Sequence, residues 1–110
     1  MFVRLFECNQ IRKDLFMPEQ SIEFRYDTQL LLDLTGVDED DVEDIADEIH
    51  DHIVDTFQGD ELLCVPGAEV IKLHYHTNEP WLVLEYCRTH GEIYDIVVED
   101  MDRQTRGLQG

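Results

Sequence analysis

The sequence predicts an α+β fold in which a small antiparallel sheet packs against one long acidic amphipathic helix. Residues 38–58 carry apolar side chains at helical spacing, whereas residues 69–76, 81–88 and 92–99 alternate apolar and polar side chains, as half-buried strands do. Short connections rich in turn-forming residues separate the three alternating stretches. These observations favour a C-terminal three-strand meander, joined by N-terminal strands, with the helix on one face.

The N-terminal third of the chain gives weaker patterns. Residues 2–17 match neither period well, and we interpret them as one or two short strands. Residues 22–27 alternate apolar and charged side chains and predict a strand. The run of three leucines within residues 28–34, followed by Gly36, predicts a short helix that ends at the glycine.

The helix over residues 38–58 is the clearest element, because acids crowd its first turn and Gly59 follows its end. Its apolar positions are three or four residues apart and form one stripe: Val42, Ile45, Ala46, Ile49, Ile53 and Phe57. A chain of 110 residues is long enough for one core. We therefore expect a single domain over residues 1–102 and a flexible tail over residues 103–110.

The meander leaves one sheet face away from the helix, and this outer face is less polar than a solvated face should be. On the predicted strands it carries Trp81 together with His74 and His76. The N-terminal segment or residues 28–34 would cover this face if they pack there. The alternative is a partner or a second copy of the chain as a homodimer, because tryptophan is favoured in interface anchors.

Composition excludes several classes of function. The chain has 26 Asp and Glu against 8 Lys and Arg, a formal net charge of -18. Direct nucleic-acid binding needs clustered basic residues, and anionic lipid surfaces would repel this charge, so we expect neither nucleic acid nor membrane as a partner. Three widely spaced cysteines and the lack of an apolar leader predict a cytoplasmic protein.

The acids of the predicted helix form a stripe opposite its apolar stripe, and no Lys or Arg lies between Asp38 and Leu63. Like charges at this spacing destabilise a helix by a few tenths of a kcal/mol per pair, so their retention predicts a binding role. We predict that this acidic stripe, together with Trp81, contacts the partner: Asp40, Asp44, Asp47, Glu48, Asp51 and Asp55.

These features predict a non-enzymatic inhibitor, without a cofactor, that occupies a basic and nucleic-acid-binding surface of a target protein. No P-loop, Rossmann glycine pattern or nucleophile beside a base occurs in the sequence. In size and charge the chain resembles phage and plasmid inhibitors that imitate DNA, including anti-restriction proteins, uracil-DNA glycosylase inhibitors and some anti-CRISPR proteins. The resemblance implies action by charge mimicry in the cytoplasm.

Two other functions stay open. The first is an immunity protein or antitoxin that neutralises a basic nuclease toxin through an aromatic anchor such as Trp81. The second is a metal- or ligand-binding housekeeping domain with a salt-adapted surface. His74 and His76 are placed on one strand face, with Cys87 or His90 as a further ligand, but the spacing falls short of a metal signature, so we predict no metal site.

Overall fold

The computed structural model describes residues 23–110, and the strands predicted over residues 2–17 lie outside this range. The fold is α+β, as predicted. The described chain runs through seven elements in this order: β1 (Tyr26–Asp33), α1 (Glu39–Thr56), β2 (Gly59–Pro66), β3 (Val70–Thr77), α2 (Pro80–Arg88), β4 (Glu92–Asp100) and α3 (Met101–Thr105).

The four strands form one sheet in the order β2-β3-β1-β4, and every neighbouring pair is antiparallel. The crossover through α1 places β2 two strands away from β1, with β3 inserted between them. This is the split βαβ arrangement of ferredoxin-like folds. Both long helices pack on the same side of the sheet, because the buried residues of α1, α2 and the strands form one core.

Helix α1 confirms the prediction for residues 38–58 to within two residues at each end. Asp38 has extended backbone at the N-cap, and the acids of the first turn face the positive end of the helix dipole. Val42, Ala46, Ile49 and Ile53 are buried, each at most 2% exposed. Burial of an isoleucine side chain contributes roughly 1.5 to 3 kcal/mol, so this stripe fixes α1 on the sheet.

The short helix predicted over residues 28–34 is wrong, because Tyr26–Asp33 forms strand β1. Leu30 and Leu32 point into the core and are 2% and 1% exposed, while Leu31 between them faces the other side of the sheet. The three leucines suit a strand because β1 is central, with β3 on one side and β4 on the other. Gly36 ends a turn after the strand, with φ of 89°.

The predicted middle strand of the meander is also wrong, because residues 81–88 belong to helix α2 (Pro80–Arg88). Val83 and Cys87 are four residues apart and are 0% and 1% exposed, which is the spacing of a helix face. Pro80 occupies the start of the helix, where its missing N–H costs no hydrogen bond. Trp81 therefore lies on the exposed side of α2 and not on the outer sheet face.

Each edge strand contains a β-bulge. In β2, a strand that the sequence did not predict, the register shifts between Asp60 and Leu63, and Glu61 has φ of 56°. In β4, Asp95 has φ of 50° beside a second register shift. An extra residue changes which side chains face the core, and Tyr94, which pairs with the outward-facing Leu31, is 41% exposed.

An ion pair closes the end of the sheet where the C-terminal segment begins. Arg25 donates from Nε and Nη2 to the Asp100 carboxylate at 2.8 to 3.0 Å. The same carboxylate accepts the backbone N–H of Arg103 and caps α3. The flexibility expected for residues 103–110 stays a prediction, although α3 takes in the first of them. None of the helices within residues 23–110 is long and apolar enough to span a bilayer.

Candidate functional site on the outer sheet face

The described part of the chain leaves the sheet face opposite the helices open. Asp27, Gln29 and Leu31 point to this face from β1, because their neighbours on either side point into the core. Leu63 on β2 and Val97 on β4 lie on the same face and are 59% and 42% exposed. Within residues 23–110, no element covers a functional group on this face.

Asp27, His74 and His76 meet at one end of the outer face, and we refer to them as the Asp27–His74–His76 cluster. The two histidines are two residues apart on β3, so both project to the same side, as the sequence predicted. Asp27 lies directly opposite His76 in the β1–β3 ladder. Two adjacent strands in the middle of the sheet thus position all three side chains on rigid backbone.

The atoms of the cluster face one another closely. Nε2 of His74 lies 3.1 Å from Nε2 of His76, so one ring donates a proton and the other accepts it when they bond. Oδ1 of Asp27 lies 3.4 Å from Nδ1 of His74 and 3.8 Å from Nε2 of His76. That oxygen is buried and has no hydrogen-bond partner in the described residues. The side chains are 18% to 24% exposed.

A second carboxylate approaches the cluster from β2. Oδ1 of Asp60 lies 3.5 Å from Nδ1 of His76, on the ring edge opposite the one that faces His74. Gly59, directly before Asp60, lets β2 come close, because a Cβ there would collide with the backbone oxygen of His76 and the ring of Tyr75. The glycine and the Glu61 bulge together set the position of Asp60.

An open groove of about 480 Å³ lies at the same end of the sheet. Its walls include Phe24 and Phe57, and Asn78 follows the last residue of β3. The Asn78 side chain accepts the backbone N–H of Arg25 and donates to the backbone oxygen of Glu23, which ties the segment before β1 to the end of β3. The residues that line this groove do not include Asp27, Asp60, His74 or His76, so the groove is separate from the cluster.

The ligands that the sequence suggested beside the two histidines are not those that the structure brings there. Cys87 is buried in the core on α2, on the other side of the sheet. His90 contacts the Tyr86 hydroxyl through Nε2 at 3.1 Å, next to the helix layer. Both predictions assumed that residues 81–88 formed a strand, so the error in the fold carried over to the site.

The described cysteines are structural groups. Burial raises the pKa of Cys87 to about 12, and burial with the nearby charge of Asp47 raises that of Cys64 to about 11. The Cys64 thiol donates to the backbone oxygen of Ala46 at 3.4 Å. Both thiols therefore stay protonated near neutral pH and are poor nucleophiles.

The acidic stripe predicted on α1 consists of exposed side chains in the structure: Asp40, Asp44, Asp47, Glu48, Asp51 and Asp55. One contact of this set with a titratable neighbour is that between Asp51 Oδ1 and His50 Nδ1, at 3.2 Å. Trp81 is exposed as well, at 57%, but on α2. The stripe and the Asp27–His74–His76 cluster lie on opposite sides of the sheet, so they are separate candidate surfaces.

Sequence reasoning missed Asp27 and Asp60 as site residues. Asp27 ends the stretch of residues 22–27 that was predicted as a strand, but residues 23–25 are not strand and β1 spans Tyr26–Asp33. The ladder partner of β1 could not be inferred from one sequence. Asp60 lies in the unpredicted strand β2, beside a bulge. The pair of histidines was the signal within reach, since alternate positions of a strand share a face.

Comparison with known proteins identifies related sequences. Residues 23–108 match the family of FakA-like middle domains, which takes its name from one component of a fatty acid kinase. The match covers every strand and helix of the structure and contains the whole Asp27–His74–His76 cluster together with Asp60.

The curated relatives include staphylococcal proteins whose names describe them as uncharacterized. An uncharacterized protein of Staphylococcus saprophyticus is 40% identical over 48 residues, and so is one of Staphylococcus aureus strain USA300. The aligned stretch is 44% of this chain but only 9% of each relative. The chain thus corresponds to a small part of much longer proteins.

Proposed function

We propose that this chain, which belongs to the family of FakA-like middle domains of fatty acid kinase, contributes the Asp27–His74–His76 cluster to a phosphoryl-transfer site. The observation that supports the proposal most is the meeting of two imidazoles and a carboxylate on adjacent strands, with one carboxylate oxygen buried and unpartnered among the described residues. Polar groups held in this way on an open face favour a role in chemistry or binding over a role in the core.

The chemistry of the cluster suits transfer to a carboxylate acceptor. Phosphoryl transfer is achieved by positioning and by stabilising charge on the transferred group. A ring nitrogen of His74 or His76 that carries a proton can donate to a phosphoryl oxygen, and the Asp27 carboxylate lies 3.4 and 3.8 Å from the two rings. Asp60 holds the His76 ring from its other edge.

The groups that bind the nucleotide and the fatty acid in such a site would come from other modules or partner proteins. The sequence holds no P-loop or Rossmann glycine pattern that would bind a nucleotide. The staphylococcal relatives extend far beyond the aligned stretch, so we propose that nucleotide and acyl binding belong to other modules or partner proteins in the cytoplasm. The open outer face would then be the surface that meets them.

The test is ATP-dependent phosphorylation of a fatty acid by the full chain together with the proteins that co-purify with it. We expect His74→Ala and His76→Ala each to lower the rate at least about 100-fold, the usual contribution of acid–base groups. Lys72→Gln is the matched control, since Lys72 is exposed on the same face of β3 outside the cluster. Histidine variants with the rate of the control would refute the proposal.

A second proposal concerns the acidic stripe on α1. Its exposed acids have no Lys or Arg near them in sequence, which supports docking to a basic protein surface, including the nucleic-acid-binding targets of DNA-mimic inhibitors. Replacing Asp44, Asp47 and Asp51 with Asn should weaken capture of the partner at low salt and leave the fold intact. Capture that is unchanged, or insensitive to salt, would contradict this role.

A further inference from the structure

We propose that Asp27, His74 and His76 are the protein ligands of a divalent transition-metal ion of the Zn²⁺ type. The inference rests on the proposed function for the role of the site, and it assigns the stabilisation of phosphoryl charge to the bound ion in place of a protonated imidazole. A nitrogen that coordinates a metal ion carries no proton. Two imidazole nitrogens and one carboxylate oxygen, one from each residue, lie within 4.8 Å of one another. Nitrogen and carboxylate donors in this combination are those of three-ligand zinc sites.

The distances already approach those of a coordination sphere. Two nitrogens bound to one tetrahedral Zn²⁺ at about 2.0 to 2.1 Å lie roughly 3.3 Å apart. The Nε2 atoms of His74 and His76 are 3.1 Å apart. Oδ1 of Asp27 is 3.8 Å from Nε2 of His76 but faces the other ring nitrogen of His74, Nδ1, at 3.4 Å. Coordination through Nε2 of both histidines therefore requires a change in the side-chain torsion angles of Asp27 or His74.

The burial of the Asp27 carboxylate favours binding of a cation beside it. Its Oδ1 atom is buried and accepts no hydrogen bond from the described residues. Burial of a charged oxygen without a partner is costly, and such oxygens in native proteins bind a donor, an ion or water. The two neighbouring imidazoles approach it through Nδ1 of His74 at 3.4 Å and Nε2 of His76 at 3.8 Å, and each ring can offer one nitrogen lone pair to an ion.

Asp60 lies where a metal-bound histidine usually has a hydrogen-bond acceptor for its second ring nitrogen. Metal-ligating imidazoles almost always donate their second ring nitrogen to a carboxylate, a carbonyl or water. Nδ1 of His76 faces Oδ1 of Asp60 at 3.5 Å, on the edge of the ring opposite the cluster. Asp60 would therefore orient the His76 ring without touching the ion.

Three protein ligands leave one tetrahedral position for water or substrate. The ligand side chains are about a fifth exposed on a face that the described residues leave open, so that position can be reached. An ion with an open position polarises a phosphoryl or carboxylate oxygen as a Lewis acid. This is the charge stabilisation that phosphoryl transfer needs.

Titration of the full, metal-free chain with ZnCl₂ by isothermal calorimetry tests the site directly. We expect one tight site, lost or weakened at least about 100-fold in His74→Ala, His76→Ala and Asp27→Asn, and weakened about 10-fold in Asp60→Asn. His50→Ala is the matched control, since His50 is exposed beside Asp51 on α1 and should leave binding unchanged. Absence of a tight site, or equal affinity in the cluster variants, would overturn the inference.

Two further readouts keep the outcome clear. Histidine side-chain NMR of the unmutated chain should show shifts at His74 and His76 on addition of Zn²⁺, so a variant that fails to fold does not decide the matter. Shifts confined to His50, His52 and His90 would refute the site. Loss of phosphoryl transfer in cluster variants of a chain that binds no zinc would leave the proposed function standing alone. Zinc binding without an effect on transfer would leave the metal site standing alone.

Discussion

On the helix side of the sheet, the side chains of Leu30 and Leu73 are 2% and 1% exposed, whereas on the other side Leu63 and Val97 are 59% and 42% exposed. Leu30 and Leu73 belong to the central strands β1 and β3, whereas Leu63 and Val97 belong to the edge strands β2 and β4. The helix side is closed by α1 and α2 with apolar contacts, and the outer side carries the Asp27–His74–His76 cluster. The comparison indicates that the helix side supplies stability and that the outer side is available for function.

The largest difference should be seen when apolar side chains are truncated on the two sides. Ile53→Ala removes a fully buried side chain from α1 and should lower the free energy of unfolding by roughly 3 kcal/mol, because it leaves a cavity. Leu63→Ala, on the outer face, should change it by less than about 0.5 kcal/mol. Urea denaturation of both variants measures the contrast. Similar losses would mean that another segment covers the outer face.

Replacement of Gly59 should lower the free energy of unfolding nearly as much as Ile53→Ala. Gly59 packs against Tyr75, whose side chain lies in the core, and directly precedes Asp60 of the outer face. In Gly59→Ala the new methyl group would meet the backbone oxygen of His76 and the ring of Tyr75. Separating β2 from β3 to relieve the collision should cost roughly 2 to 3 kcal/mol. The same movement should displace Asp60 from His76. Gly67→Ala is the milder comparison, because its new methyl group would meet only the side chain and the backbone oxygen of Val70, at ordinary distances or slightly below. An equal loss of stability in both variants would contradict the account.

Substitution of Asp27 by an apolar residue should raise the free energy of unfolding, whereas truncation of a core residue lowers it. Asp27→Val removes a buried oxygen that has no hydrogen-bond partner among the described residues and supplies a side chain suited to a strand, so metal-free protein should gain about 1 kcal/mol in stability. The gain would come with loss of function, as at many active sites.

Asp33→Val is the control for this substitution, because Asp33 also faces outward from β1. Its carboxylate accepts bonds from the backbone N–H of Thr35 at 2.9 Å and from the Thr35 hydroxyl at 2.5 Å, and these bonds lower its pKa. This variant should therefore lose stability. Thermal melts of the two variants decide the point, and a loss of stability in Asp27→Val would indicate that Asp27 is structural.

The smallest effect is expected at the Arg25–Asp100 ion pair, which contributes to stability and not to the site. The hydrogen bonds from Arg25 hold the pKa of Asp100 below its usual value. Because the folded pKa is the lower one, the contribution is complete above the unfolded pKa of about 3.9 and is lost as the pH falls through the folded value. The Arg25 side chain is 42% exposed, so the pair should contribute less than about 1 kcal/mol.

Urea denaturation near neutral pH and at about pH 3 measures this contribution. Asp100→Asn should show a smaller loss between the two conditions, since Asn cannot pair with Arg25 as a charge but still caps α3. An unchanged pH dependence in the variant would show that other carboxylates account for it.

The sequence predicted what depends on local periodicity. Helix α1 was predicted because its buried positions recur every three or four residues and no other pattern fits them. Residues 81–88 fit both periods, and only Pro80 at the start and the spacing of Val83 and Cys87 distinguish the helix. The run around Leu31 was ambiguous for a related reason, since a central strand is apolar on successive residues.

The candidate site depends on pairing between distant segments, which periodicity does not contain. His74 and His76 were placed on one face because they belong to one strand. Asp27 reaches them through a ladder that joins residues about fifty positions apart, and Asp60 through a bulged edge strand. The order of the strands had to be known before these carboxylates could be recognised as neighbours of the histidines.

The most direct test of the central claim compares the two candidate surfaces in one assay of ATP-dependent fatty acid phosphorylation, with the full chain and its co-purifying proteins. The account predicts that the His74→Ala, His76→Ala double variant loses at least about 100-fold in rate at saturating partner. The Asp44, Asp47 and Asp51 to Asn variant should keep the full rate under the same condition. A full rate in the histidine variant, with loss in the aspartate variant, would contradict the claim and transfer the function to the acidic stripe.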